Sequence, residues 1–432
     1  MSFRLPTRCG RKWSNVHIAI IVFLAAFSVR FGIMLATRPY DHPLRTEIHH
    51  LAYSIANGQG YGNPYPTPTG PTALYSPGCP LILAGIYRLF GTGRFAEAVT
   101  YLVDIAAASV VFALLPVLSI RLGLPRRVGV VAAFAGALVP VYLLNEYRST
   151  TADFGALCLM GLTLMTAWVW RGKQELSLRL GVLFGVAWGC ALLISPNLLL
   201  IGLLWLVAAA LHYRARALGL SAVVLGVTLA VLSPWAIRNE VVLGSPILSR
   251  SNFGLELWIA NNDVSAASYG DNGESHTRYQ PFINPLEADQ IRRLGEVTYM
   301  RQKMDASETW IEQHPRRFAM LTGNRIFRFW FPITFRPVQT IVVWSLSVAG
   351  IVGLAYVWAR QRSAFWILGS IWLAYPLVYY LVQLDNPYRY PIYWSVLLLA
   401  AFGCMCSIDV LRKHALPYVQ RLFARVRPAT AS

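Results

Sequence analysis

The chain has 432 residues, of which 56% are apolar and 13% charged, with a formal net charge of +18 and a mean hydropathy of +0.46. Soluble domains carry roughly 25% charged residues, so this composition excludes a soluble globular domain and intrinsic disorder and points to a bilayer. The positive charge does not indicate a nucleic-acid partner, because Lys and Arg fall in short clusters between apolar runs instead of gathering on one face.

A membrane helix needs roughly 20 apolar residues. Runs of that kind predict an all-α polytopic protein with about ten spans, at 16–36, 97–120, 127–145, 151–170, 178–194, 196–212, 217–236, 338–359, 364–383 and 390–410. The stretch 178–212 is interrupted by Ser195-Pro196-Asn197, and 77–90 is apolar but short and carries Arg88, which suits an interfacial or re-entrant helix. The first run is too long for a cleaved signal and reads as a signal anchor. Alternating ten spans places 19 basic residues on one side, among them Arg4, Arg121, Arg171, Arg214, Arg360 and Arg412, with only Glu175 and Asp409 as acids. That side is expected to be cytoplasmic, with both termini on it. The division is 1–236, a first membrane module with an external loop at 37–96; 237–337, an external loop unit; and 338–432, the last three spans with a basic tail. The 237–337 loop has twelve basic and eleven acidic residues, and Pro281, Pro285 and Pro315 predict short helices joined by turns. No repeat is evident. Of six cysteines only Cys79 falls on the external side, so neither a disulfide framework nor a metal-ligand spacing is implied.

The first external loop holds the chemistry. Leu44, Ile48, Leu51 and Ile55 recur at helical spacing, and Asn57-Gly58 is a helix stop, giving a short amphipathic helix on the membrane surface. Glu47 falls in its first turn, where the helix dipole is expected to lower its pKa and keep it ionised as a base for a hydroxyl proton. His50 lies one turn on. Asp41 is the alternative base, with a plain turn as its competing role. The Gly- and Pro-rich run from Gly58 to Gly78 predicts a rigid loop packed on the bundle.

Two blocks in this loop, Glu47 through Gly60-Tyr61 and Ser76 through Gly91, resemble the GT-C superfamily of integral-membrane glycosyltransferases. The branch they resemble contains protein O-mannosyltransferases and lipid A aminoarabinose transferases (glycosyltransferase families 39 and 83). Ser233-Pro234-Trp235-Ala236-Ile237-Arg238-Asn239, Arg250-Ser251-Asn252-Phe253-Gly254, Leu257 to Asn262 and Asn386-Pro387-Tyr388-Arg389-Tyr390-Pro391 extend the likeness over most of the chain. The resemblance implies a bacterial inner-membrane enzyme that moves a sugar from a polyprenyl-phosphate donor to a hydroxyl of a lipid, glycan or protein acceptor on the external face, with inversion. By the same resemblance Glu47 would be the base and Arg389, with Arg238, would bind the donor phosphate. Glu146 and Asp153 would be supporting acids. His50, His276 and Asn261 would face the acceptor or the lid. No cofactor is required outright, and a divalent metal is compatible with the acids. Many relatives have Asp where this chain has Arg45-Thr46-Glu47, which keeps a degenerate, non-catalytic subunit open. A transporter or lipid-linked-sugar flippase is the rival class, since ten spans with Arg30 and Asp104 inside them also suit transport. Those two residues are expected to pair with each other.

Overall fold

A computed structural model describes residues 14–43, 45–140, 149–171, 177–213, 215–334 and 336–426. In chain order the helices are α1 (Asn15–Thr37), α2 (Glu47–Ala56), α3 (Gly78–Phe90), α4 (Arg94–Arg121), α5 (Arg126–Leu138), α6 (Thr150–Arg171), α7 (Leu178–Ile194), α8 (Leu199–Tyr213) and α9 (Ala215–Leu243). They continue as α10 (Phe253–Ala260), α11 (Gly273–Tyr279), α12 (Pro285–Leu294), α13 (Glu296–Gln313), α14 (Pro315–Trp330), α15 (Pro337–Arg360), α16 (Arg362–Ala374), α17 (Leu377–Leu381) and α18 (Tyr390–Val426). Among the described residues there is no β-strand, only two isolated bridges.

Every expected span is helical, but not every one is long. Seven helical segments, 15–37, 94–121, 150–170, 218–243, 337–360, 362–381 and 390–413, are long and apolar enough to cross a membrane. Within the expected span at 127–145, the 13-residue α5 covers about 20 Å of a roughly 30 Å core at 1.5 Å per residue, and 141–145 lie outside the described residues. The pair 178–194 and 196–211 is also short, because Ser195 turns extended before Pro196 and ends α7. The span at 364–383 is interrupted at Tyr375-Pro376.

Small residues set the helix contacts. Gly185 and Gly189 on α7 face Val227 and Val231 on α9, where an added Cβ would sit 2.5 Å from the valine Cβ atoms. Gly353 on α15 lies against the Leu399 carbonyl of α18. Such close backbone approach replaces the hydrophobic driving force that lipid does not supply between helices. Residues 390–402 of α18 are buried on every side, with Trp394 fully enclosed, which fits a helix apolar all round at the bundle centre. Within the spans, Arg30 donates to the Gly136 and Ala137 carbonyls at 3.0 and 3.2 Å and lies over Phe112, while Asp104 accepts from the Thr150 hydroxyl at 3.0 Å.

The two long loops fold together. On α2, Ile48, Leu51 and Ala52 are buried, and Ile48 and Ala52 pack with Cys79, Leu83, Ala84 and Tyr87 of α3. Gly58 takes φ 75°, a left-handed conformation that ends the helix cheaply only at glycine. Leu44, expected to begin the apolar stripe, lies outside the described residues. Pro285 and Pro315 each open a helix, as expected of a residue that has no N–H to leave unpaired. One core joins Tyr65 and Leu74 of the first loop to Leu255, Ile259, Ile291, Tyr299 and Met300 of the second. The 237–337 unit therefore completes its core with residues of 37–96.

Candidate active site between the external loops

Buried hydrogen bonds hold the two loops in register. Glu296, at the start of α13, accepts from the Ala73 N–H and the Ser251 hydroxyl, each at 2.7 Å, and from the Thr72 hydroxyl. Arg238 donates to the Thr72 and Tyr61 carbonyls at 2.7 and 2.8 Å and to Asn239 Oδ1 at 2.8 Å, and its guanidinium lies over the Tyr61 and Trp235 rings. The sequence suggested phosphate binding for Arg238. In the structure two of its donors latch the first loop through the Thr72 and Tyr61 carbonyls.

These latches place Glu47 against the second loop. Gln280, just past α11, donates from Nε2 to Glu47 Oε1 at 2.9 Å, and its own Oε1 is buried with no partner among the described residues. Arg250 and Glu256, from the turn before α10 and from its first turn, lie within electrostatic reach of Glu47. Arg250 Nε donates to Asn252 Oδ1 at 2.7 Å, its guanidinium covers the Tyr75 ring, and among the described residues its terminal nitrogens have no partner. Glu256 accepts from Asn252 at 3.1 Å and from Gln383 at 3.4 Å. Tyr388, beside Arg389, lies within electrostatic reach of Glu256 and Asp385.

The electrostatics reverse one expectation. Glu47 does sit at a helix N-terminus, where backbone N–H groups favour its anion, yet its pKa is raised to about 7. Loss of hydration is the largest cause, and repulsion from Glu256 adds to it, outweighing the backbone, Arg250 and Gln280. Glu47 as a whole residue is half-buried. Glu256 is raised as well, by burial first, with Arg250 opposing. One carboxylate and one carboxyl can thus share the space beside a free guanidinium, a division that suits proton transfer near neutral pH. Glu47 and Glu256 are also the oxygen donors that a divalent cation would meet here. Among the described residues no group of three or more His, Cys, Asp or Glu side chains converges.

The other expected residues divide. Asp41 forms an ion pair with Arg94 at the start of α4, which ties it to the membrane boundary. Glu146 lies outside the described residues, and Asp153 is fully buried in the first turn of α6. Asn261 is structural: its amide donates to the Leu257 and Leu381 carbonyls, and Arg325 donates to its oxygen. His276 Nε2 meets Gln383 Oε1 at 2.6 Å, so it stands behind Glu256 through Gln383, with its pKa lowered by burial. His50 packs edge-on against Phe282, two residues past Gln280. Arg389 is buried, donates to the Trp330 carbonyl at 3.1 Å and the Ser347 hydroxyl at 2.7 Å, and has no carboxylate partner among the described residues; its Nε is unpaired. A buried cation without a counter-ion is costly, and an anionic ligand would relieve it. Arg250, Glu256, Gln280 and Gln383 carry no assigned role in the sequence reading. Arg250 and Glu256 fall in or beside a block that resembles relatives, but the two glutamines have no local signal.

No protein-family model and no curated protein matches the chain. Among solved structures, the apo Archaeoglobus fulgidus oligosaccharyltransferase is similar, with TM-score 0.56 and 15% identity over 96% of this chain and 52% of that one. The same enzyme tethered to an acceptor peptide containing the NVT sequon gives TM-score 0.53 and 14% identity, over 94% of this chain and 51% of that one. At this identity the likeness is one of fold, shared with the aligned half of that enzyme. The chain spans about half the length of the oligosaccharyltransferase that it matches. ArnT from Cupriavidus metallidurans, solved with undecaprenyl phosphate, aligns at TM-score 0.40 with 14% identity, over 90% of this chain and 77% of that one. Glu47, Arg250 and Glu256 come within electrostatic reach of one another where the two loops join.

Proposed function

We propose that this protein is a membrane glycosyltransferase that takes a sugar from a polyprenyl-phosphate donor and attaches it to an acceptor hydroxyl at the external face of a bacterial inner membrane, with both termini cytoplasmic. The observation that carries the reading is Glu47, a half-buried residue with a pKa near 7 held by Gln280 at the loop junction, within electrostatic reach of Arg250. Glu47 removes the proton of the acceptor hydroxyl. The oxygen forms a bond to the anomeric carbon from the side opposite the donor phosphate, and the carbon–phosphate-oxygen bond breaks with its electron pair on the phosphate. The configuration inverts. Arg250 and the buried Arg389 supply positive charge for the growing anion, a stabilisation strongest where water is excluded. Gln280 orients Glu47, and its unpaired Oε1 offers an acceptor for a substrate hydroxyl.

The test uses protein in lipid nanodiscs, a panel of radiolabelled polyprenyl-phosphate sugars, and Glu47→Gln beside wild type. Donor turnover by wild type that drops at least about a hundredfold in the variant supports the base. Donor binding with no turnover in either protein favours a flippase or an inactive subunit. Equal turnover in both removes Glu47 from the mechanism and makes Asp41 the next carboxylate to test.

A further inference from the structure

A second polar cavity, of about 140 Å³, opens on the flank of α2 between the start of the first loop and the α3–α4 turn. Its size is roughly ten times what one water needs. The deep wall is Glu97 and Tyr87: Glu97 is 3% exposed, and the Tyr87 hydroxyl donates to its Oε1 at 3.1 Å. The other carboxylate oxygen, Oε2, has no hydrogen-bond partner among the described residues and is not sealed off. His49, His50 and Tyr53 form the side given by α2, and Arg45 reaches over the rim to the Thr92 carbonyl at 3.4 Å.

We propose that this cavity is the acceptor subsite and that it binds a neutral, hydroxyl-rich sugar ring. The inference rests on the transferase reading above and adds the chemical class of the acceptor. Its wall offers a carboxylate oxygen, a phenol, two imidazoles and a backbone carbonyl, a set that matches hydroxyl groups and gives little to an apolar ligand. Tyr53 and His50 add two aromatic rings to the lining. An anion is disfavoured. Both imidazoles are held neutral, since burial and the neighbouring cation lower His50 and push His49 down to about 4, while Glu97 repels negative charge from the inner wall. Arg45 at the rim is then the cavity's single fixed cation among the residues that line it. The position also fits. Glu47 and His50 are three residues apart on α2, so they are neighbours on one helix face. A ring seated against His50 is therefore about one helical turn, roughly 5 Å, along α2 from the position of the base.

The test measures binding and turnover separately. Saturation-transfer NMR on nanodisc-embedded protein would compare methyl hexopyranosides, a free aminohexose, a hexuronic acid and inorganic phosphate. Tyr87→Phe and Glu97→Gln preserve shape, and His50→Gln changes a partly exposed position should the buried variants fail to fold. The expected result is methyl hexoside binding weakened about tenfold by each substitution. With a hexoside as acceptor, KM rises by the same factor and kcat moves less than about twofold. Donor hydrolysis by water, without acceptor, stays as in wild type. Hexoside binding indifferent to all three substitutions, or preferential binding of phosphate or the uronic acid, overturns the proposal. If wild type turns over no donor but the variant-sensitive hexoside binding is present, the transferase reading fails and the saccharide site stands.

Discussion

Titration of Glu47 gives the sharpest test of the site. With a pKa of about 7, the ionised fraction is about 1% at pH 5 and half at pH 7, so kcat/KM for donor is expected to climb about fiftyfold over that range. An unperturbed carboxyl at 4.5 would give about 1.3-fold over the same range. Neighbouring charges set the direction of two substitutions. Arg250→Gln removes a cation that favours the carboxylate, so the midpoint moves to higher pH; Glu256→Gln removes a repelling acid, so it moves to lower pH. The same shift is a stability statement. The folded carboxyl holds its proton up to about pH 7 and the unfolded one only to about 4.5, so the contribution is present below about 4.5 and lost as pH rises to about 7. The gap corresponds to at most about 3.5 kcal/mol at about 1.4 kcal/mol per pH unit. Glu47→Gln should therefore raise the thermal midpoint in nanodiscs at pH 8 and leave it near wild type at pH 4. A flat rate profile between pH 5 and 7, with no displacement in either neighbouring variant, would refute the assignment of Glu47 as base.

Arg389→Gln should raise the donor KM about ten- to a hundredfold, read from initial rates, and Arg389→Lys should not restore it because a point charge lacks the guanidinium fork. Glu296→Ala strips three donors of their buried acceptor and should cost about 3 kcal/mol or more, seen as faster proteolysis within 58–77 and 237–252. Arg238→Ala should expose the same segments while leaving donor binding by correctly folded protein intact, which separates a latch from a phosphate ligand. In the bundle, Gly353→Ala should lower the thermal midpoint by several degrees, because its Cβ has no room against Leu399, whereas Gly226→Ala, with nothing within 4 Å, should leave it unchanged or slightly higher.

What composition and periodicity determined by themselves was the membrane-embedded helical architecture and the approximate place of each helix. A bilayer demands internally satisfied backbone and long apolar runs, and those demands are written locally in the chain. The amphipathic α2, its Asn57-Gly58 stop and the helix-opening Pro285 and Pro315 were legible for the same reason: caps and turns depend on neighbouring residues. The likeness to GT-C transferases lay in blocks around Glu47 and Arg389 and matches the fold found. Tertiary structure decided the rest. The sign of the Glu47 shift turned on burial and on Glu256, 209 positions away, which outweighed the helix dipole that the sequence displays. Arg238 and Arg389 look alike as boundary arginines, but one is spent on loop carbonyls and the other is buried without a counter-ion. The contact from Gln280 to Glu47 spans 233 positions, and no local pattern encodes it. Short-range rules place a side chain on its own helix. Which charges it meets, and therefore what chemistry it can do, depends on how distant segments close over it and exclude water.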